Sequence, residues 1–236
     1  MFVSRRQVTR FVILFPGRVG STYLVSALAE HPHIAVEGEV LSSLRDAGAD
    51  RQLAWSQDWW QGRAVGRARA RGFKTKLRDI VDSERFSAMI HDLDVRVVLM
   101  DRRNDVKHAV SRVTAKALHE ATGKWNRYDD DARPEPVEID LERFHRLLAG
   151  VIADKRHIDN YVTKLHRPTL RIDYEDLLTD PAAIFTSVQG FVGVAPRAVA
   201  GATQKNTSDN LREAVANFDE LRASVDDPAL AAMFDD

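Results

Sequence analysis

Cysteine is absent from the sequence, so disulfide bonds, thiolate nucleophiles and zinc–thiolate centres are all excluded. Long apolar runs are missing as well, because the stretch after the basic N-terminal residues covers only positions 11–15 and then meets proline and glycine. Such a run is too short for a signal peptide or a membrane-spanning helix. These absences predict a cytoplasmic protein without a transmembrane segment.

An excess of charge of either sign is also lacking. The 34 lysines and arginines balance 35 aspartates and glutamates, which leaves a formal net charge of −1. A molecule with this balance has no general attraction to nucleic acid or to an anionic membrane, so any basic binding site must be local. The length of 236 residues suits one domain, and we expect a single domain over residues 1–236.

Short apolar segments alternate with segments of helical periodicity along the chain. The predicted strands cover residues 11–15, 72–77, 95–100 and 169–172. The predicted helices cover residues 22–30, 83–93, 104–121, 141–165, 181–193 and 210–225, the last as one amphipathic helix. This alternation predicts an α/β fold with a parallel sheet flanked by helices, in which ligands bind at the carboxyl ends of the strands.

A glycine-containing loop follows the first predicted strand and leads into the first predicted helix. Its residues are Pro16, Gly17, Arg18, Val19, Gly20, Ser21 and Thr22. Such a turn directs backbone N–H groups at one point, where the helix dipole also favours an anion. The lysine of a Walker A loop is absent, which disfavours a nucleoside triphosphate bound with magnesium. Taken alone, the loop is equally well explained as a tight turn with an exposed arginine.

A second cluster of polar residues follows the third predicted strand. Arg103 lies at the end of that strand, and Ser111 lies two helical turns further on. A guanidinium and a hydroxyl at this spacing can converge on a second phosphate. The same segment can also be an ordinary helix start capped by Asn104 or Asp105, and the segment alone favours this second interpretation.

Together these segments resemble the sulfotransferases that use 3′-phosphoadenosine 5′-phosphosulfate (PAPS). Residues 18–22 are similar to the family's 5′-phosphosulfate loop, although Val19 replaces the usual serine. Arg103 and Ser111 resemble its 3′-phosphate site. Residues 171–181 and 205–221 are similar to further family segments, so the resemblance covers nearly the whole chain. It implies a P-loop-like parallel sheet in the sulfotransferase arrangement.

The resemblance also implies a role for each residue of these motifs. Glu39 is the implied general base, with Glu37 as its rival, and Arg18 is implied to act beside the leaving phosphate. The implied donor-binding residues are Arg18, Val19, Gly20, Ser21, Thr22, Arg103, Ser111 and Lys205. PAPS is the implied sulfuryl donor, and no metal is implied because cations of the chain take its place.

Within this family the sequence is most similar to the bacterial trehalose or carbohydrate branch. The similarity lies in His31-Pro32, in Gly38-Glu39 and in residues 122–125. It implies an acceptor hydroxyl on a small molecule, either a carbohydrate or a glycolipid-like molecule. Two other functions stay open, a P-loop-type kinase for a small metabolite and a nucleotide-binding protein without catalysis.

Two further features have more than one interpretation. Lys74 is either an additional cation of the active site, as a similar lysine is in relatives, or a solvated lysine at a strand end. Three tryptophans can either line an acceptor cleft or pack a core, and packing is the favoured interpretation. They are Trp55, Trp59 and Trp60.

Overall fold

The computed structural model describes residues 8–62, 67–123, 125, 135–202 and 210–235. Its strands are β1 (Thr9–Leu14), β2 (Ile34–Glu37), β3 (Ala70–Thr75), β4 (Arg96–Asp101) and β5 (Thr169–Asp173). Its helices are α1 (Ser21–Ala29), α2 (Val40–Ser43), α3 (Gly48–Gln61), α4 (Ser83–Asp92), α5 (Asp105–Thr122), α6 (Leu141–Leu165), α7 (Tyr174–Thr179), α8 (Pro181–Phe191), α9 (Leu211–Ala214), α10 (Phe218–Ala223) and α11 (Pro228–Ala232). Short 3-10 turns lie at Arg45–Ala47 and Leu77–Asp79.

The chain divides into two compact units. The first is Met1–Asp101 with His157–Gly201, and the second is Arg102–Arg156 with Ala202–Asp236. The single domain expected over residues 1–236 stays a prediction. No helix of the described residues is both long enough and apolar enough to cross a lipid bilayer.

The first unit contains a five-stranded sheet in the order β2-β3-β1-β4-β5. Every pairing is parallel, which confirms the predicted α/β fold with a parallel sheet. The four predicted strands correspond to β1, β3, β4 and β5. The edge strand β2 was not predicted, because four residues between a histidine-rich turn and Gly38 are too short to produce a periodic signal.

The two faces of this sheet carry separate apolar cores. Alternation along β1 directs Phe11 and Ile13 into one cluster, with side chains of α1 and α8. Val12 and Leu14 belong to the other cluster, with side chains of α3, α4 and the last turns of α6. Because both faces of the central strands are covered, their sequences are almost continuously apolar.

The second unit has its own core, built from α5, the first turns of α6 and the C-terminal helices. The single helix predicted over residues 210–225 is wrong, since the chain forms α9 and α10 with a break between them. At the break Val215 is extended and pairs with Val137 in an isolated bridge. The Asn217 amide then exchanges two 3.0 Å hydrogen bonds with the Ile139 backbone. These long-range bonds outweigh the local helical periodicity.

Candidate active site

The loop between β1 and α1 has the backbone of a tight turn. Gly17, Arg18 and Gly20 have φ angles of 95°, 58° and 74°. Gly20 is the N-cap of α1, no described side chain caps this helix, and its first turn has no acidic residue. The N–H groups at the start of α1 therefore have no competing carboxylate from their own helix, which suits them to an anion.

The segment after β5 packs against this loop. A Cβ atom added to Gly20 would lie 3.1 Å from a ring carbon of Tyr174 and 3.1 Å from a methyl carbon of Leu177. Both side chains belong to α7. Only glycine combines the positive φ with this close approach. The side chains of α7 therefore pack directly against the backbone of the loop at Gly20.

Lys74, in β3, directs a buried ammonium at the beginning of α1. Its side chain is only 6% exposed. The Nζ atom donates to Thr22 Oγ1 at 2.7 Å and lies 3.4 Å from Ser21 Oγ. Burial lowers the pKa of Lys74, the charge of Glu39 opposes that shift, and the charges of Lys76 and Arg18 reinforce it. The interpretation of Lys74 as a solvated lysine is therefore wrong.

Glu39 follows β2 and lies between two lysines. Its Oε1 atom is 3.2 Å from Lys74 Nζ, and its Oε2 atom accepts a hydrogen bond from Lys76 Nζ. Burial alone would raise the pKa of Glu39, but the charges and hydrogen bonds of the two lysines outweigh burial and lower it. The carboxylate is thus held ionised. Among the described residues we find no ion pair for the rival Glu37.

Lys76 is a cation at this site that the sequence did not single out. It continues the extended chain immediately after β3, with φ −88° and ψ 144°. Residues two apart in an extended segment share a face, so the spacing of Lys74 and Lys76 was the available signal. Both lysines lie within the predicted strand over residues 72–77, but the sequence gives no sign that Glu39 lies between them.

Gln52 holds the segments that carry these charges. Its side chain, in α3, is buried, and both its amide nitrogen and its amide oxygen form hydrogen bonds. The amide nitrogen donates to Leu41 O at 2.6 Å and to Asp79 O at 2.7 Å, and the amide oxygen accepts from Val81 N at 2.9 Å. One side chain thereby fixes the start of α2, which follows Glu39, and the turn that follows Lys76.

The second predicted phosphate site lies in the second unit. Asn104 caps α5 by accepting from Lys107 N at 2.7 Å, so this segment is a capped helix start. Arg103 is exposed immediately before the cap, while Ser111 is buried within α5. The structure therefore brings Ser21, Thr22 and Glu39 together around Lys74, and it assigns Arg103 and Ser111 to a different unit. Lys205 lies outside the described residues.

The tryptophans pack against the sheet, as the sequence analysis favoured. Trp60 is buried and donates its indole N–H to Phe11 O at 3.1 Å, and Trp59 donates to Gly72 O at 2.9 Å. Trp55 stacks on Trp59 with ring centroids 6.0 Å apart. Within the described parts of the chain, no group of three or more histidine, aspartate or glutamate side chains is arranged to hold a metal ion.

Comparison with known proteins identifies the fold. The crystal structure of a sulfotransferase from Alicyclobacillus acidocaldarius superposes with a TM-score of 0.51, covering 96% of each chain at 16% sequence identity. The chain has the sulfotransferase fold. No protein-family model matches the sequence.

Two curated proteins are similar to this chain in sequence over nearly its full length. Nodulation protein H of Rhizobium tropici is 28% identical over 225 residues, which cover 90% of this chain and 87% of the relative. Nodulation protein H of Rhizobium meliloti is 25% identical over 240 residues, which cover 95% of this chain and 94% of the relative. The similarity to these proteins therefore extends over nearly the full length of both chains.

Proposed function

We propose that the protein is a sulfotransferase that transfers a sulfuryl group from PAPS to a hydroxyl of an acceptor molecule. One observation supports this most strongly. The buried Lys74 contacts both the hydroxyl of Thr22, at the uncapped start of α1, and the carboxylate of Glu39. An anion-binding helix end, a desolvated cation and a carboxylate base are the groups that such a transfer needs within one site.

In this proposal, the loop and the start of α1 bind the 5′-phosphosulfate of the donor. Arg18 adds positive charge, the backbone from Val19 to Thr22 donates N–H groups, and the hydroxyls of Ser21 and Thr22 complete the contacts. Arg103, Ser111 and Lys205 would bind the 3′-phosphate through side chains. That assignment rests on the family resemblance of their motifs.

The reaction forms a bond from the acceptor oxygen to sulfur and breaks the bond from sulfur to the 5′-phosphate oxygen. Glu39 would accept the acceptor's hydroxyl proton, and the leaving phosphate would keep the bonding electron pair near Arg18 and Lys74. A carboxylate with a lowered pKa is a weak base, but it suffices when the proton leaves late, as the bond to sulfur forms. The chain's own cations would perform the charge stabilisation without a metal.

We propose a carbohydrate or glycolipid-like acceptor. The support is the resemblance of Gly38-Glu39 and residues 122–125 to the carbohydrate branch, together with the need of a high-pKa alcohol for a positioned base. A screen of disaccharides, glycolipids, phenols and steroids with one PAPS supply tests this. Turnover of phenols or steroids alone would refute the carbohydrate assignment and leave sulfuryl transfer standing.

The decisive experiment incubates the protein with labelled PAPS and a host metabolite extract in the presence of EDTA. Labelled product is expected with PAPS in the presence of EDTA, and none is expected with ATP labelled in its γ-phosphate in a parallel reaction that contains magnesium and no EDTA. Transfer from ATP that requires magnesium would instead identify a small-metabolite kinase. Tight binding of PAPS without any product would indicate the non-catalytic alternative. The cytoplasmic location expected from the sequence is part of the same proposal.

A further inference from the structure

Asp79 is a buried carboxylate that the proposed reaction does not use. It ends the 3-10 turn Leu77–Asp79, and its side chain is 9% exposed. Its Oδ2 atom is buried and accepts no hydrogen bond from any residue that the structure describes. Lys76 Nζ lies 3.7 Å from that atom. Burying a carboxylate is costly unless a cation compensates its charge. The ammonium of Lys76 is the compensating charge for Asp79.

Lys76 is therefore shared by two carboxylates. It hydrogen-bonds to Glu39 and forms the longer ion pair with Asp79. The charged groups that act on Glu39 are Lys74 and Lys76, while Arg18 acts on Lys74. The two carboxylates balance Lys74 and Lys76 as long as Glu39 is ionised. A proton taken up by Glu39 removes one negative charge and leaves Lys76 with Asp79 as its anionic neighbour.

We propose that Asp79 is a positioning residue that holds Lys76 while Glu39 carries the acceptor's proton. In this inference, which rests on the proposed function, Lys76 shifts from Glu39 toward Asp79 as the proton transfers. Lys74 loses the same carboxylate partner and keeps its contacts with the phosphate loop. Once Glu39 is protonated, its carboxyl no longer neutralises Lys74. The charge of Lys74 can then act on the leaving phosphate as that phosphate becomes more negative.

The fixed position of Asp79 supports this role. Gln52 binds the Asp79 carbonyl at 2.7 Å and the neighbouring Val81 N–H at 2.9 Å, so the turn cannot easily move away from Lys76. Gln52 also binds Leu41 O, two residues after Glu39. The same buried side chain therefore keeps both anionic partners of Lys76 at a constant separation.

The test follows the titration of the Glu39 carboxyl carbon by NMR, with the signal assigned by its loss in Glu39→Gln. Asp79→Asn keeps the side-chain shape and removes the charge, so Lys76 acts on Glu39 alone and the midpoint should move to lower pH. Lys76→Gln should move it to higher pH. Asp82→Asn, a matched change at the partly exposed cap of α4, should leave the midpoint unchanged. In turnover assays Asp79→Asn should lower kcat about tenfold with KM unchanged.

The double variant Lys76→Gln with Asp79→Asn makes the test specific. The effect of Asp79→Asn on the Glu39 midpoint should disappear in the Lys76→Gln background, because the coupling runs through Lys76. A Glu39 midpoint unchanged by Asp79→Asn, or shifted equally in both backgrounds, would overturn the proposal. The Glu39 midpoint is also measured in Asp79→Ser. If one of the two Asp79 variants fails to fold, the other still tests the proposal. Binding of adenosine 3′,5′-bisphosphate is measured separately, and its absence would count against the proposed function, not against this coupling.

Discussion

The start of α1 and the start of α5 differ in how their free N–H groups are satisfied. At α1 the N-cap is Gly20, no described side chain caps the helix, and the first turn has no acidic residue. At α5 the Asn104 side chain caps the helix, and Asp105 in its first turn forms a 2.6 Å ion pair with Lys155. Each helix follows a strand and has an arginine just before it, Arg18 before α1 and Arg103 before α5, so the sequence alone does not reveal this difference.

Under the proposed function, this difference implies two ways of binding a phosphate. At α1 the backbone and helix dipole are available to a ligand, and the cation Lys74 comes from another strand. At α5 Asn104 already accepts from the Lys107 N–H, and Met233 Sδ lies 3.4 Å from the Asp105 nitrogen, so a phosphate proposed there would depend on side chains such as Arg103. We therefore expect the first site to tolerate few backbone changes and the second to depend on single charges.

The largest expected effect is that of Glu39→Gln, which tests whether chemistry belongs to the α1 site. The amide cannot accept the proton, so turnover should fall by about 10²–10⁴-fold while affinity for adenosine 3′,5′-bisphosphate stays nearly intact. Paired rate assays and calorimetry measure the two quantities. The lowered pKa of Glu39 also predicts that the wild-type rate persists below the ordinary range of a glutamate and falls only as pH drops through that pKa.

Glu37→Gln is the control, since Glu37 ends β2 two residues earlier. It should turn over at close to the wild-type rate. If Glu37→Gln were inactive and Glu39→Gln active, the base would be Glu37 and the two lysines around Glu39 would serve another purpose.

The next effect is that of Arg103→Ala, which tests whether the α5 site depends on a single charge. Loss of one charge-assisted contact should weaken binding of adenosine 3′,5′-bisphosphate by about 1.5–3 kcal/mol, with adenosine 5′-phosphate unaffected. Calorimetry with both nucleotides gives the comparison, and Arg143→Ala in α6 is a control on the same unit. Equal loss for the two nucleotides would contradict a 3′-phosphate role.

The sequence predicted the buried strands and the glycine loop between β1 and α1 because their signals are local. A glycine loop between an apolar run and a helix, as at residues 16–22, can be recognised from consecutive residues. The ion pair of Lys76 with Glu39 and the break at Val215 could not be found in this way. Each depends on partners far along the chain, Glu39 for the lysine and Val137 for the valine. The surroundings of Lys74 likewise follow from strand pairing, which juxtaposes it with Ile13 of β1.

A smaller effect is expected for Gly20→Ala, which tests the backbone dependence of the α1 site. The positive φ of 74° and the contacts at 3.1 Å with Tyr174 and Leu177 should cost about 1–2 kcal/mol of unfolding free energy. Bisphosphate affinity should fall with it, because the loop must shift. Gly150→Ala, in the open interior of α6, should instead stabilise by about 0.5–1 kcal/mol. Denaturant titration of both variants measures this, and a neutral Gly20→Ala would show that α7 does not fix the loop.

The smallest effect should be that of Asn104→Ala, and it addresses the contrast between the two helix starts most directly. Removing the cap exposes the Lys107 N–H that Asn104 satisfies, which should cost about 1 kcal/mol of unfolding free energy. Asp82→Ala at the start of α4 also removes a cap, but Asn104→Ala loses in addition the 2.7 Å bond that the Asn104 amide donates to Met233 O, so Asp82→Ala should cost less. Bisphosphate affinity should stay at the wild-type value in both, because in the proposed function the 3′-phosphate is bound by side-chain charge and not by the start of α5. If Asn104→Ala weakened binding of the bisphosphate as strongly as Arg103→Ala, the cap and the ligand would share the same N–H groups, and the start of α5 would be an anion site of the same kind as α1.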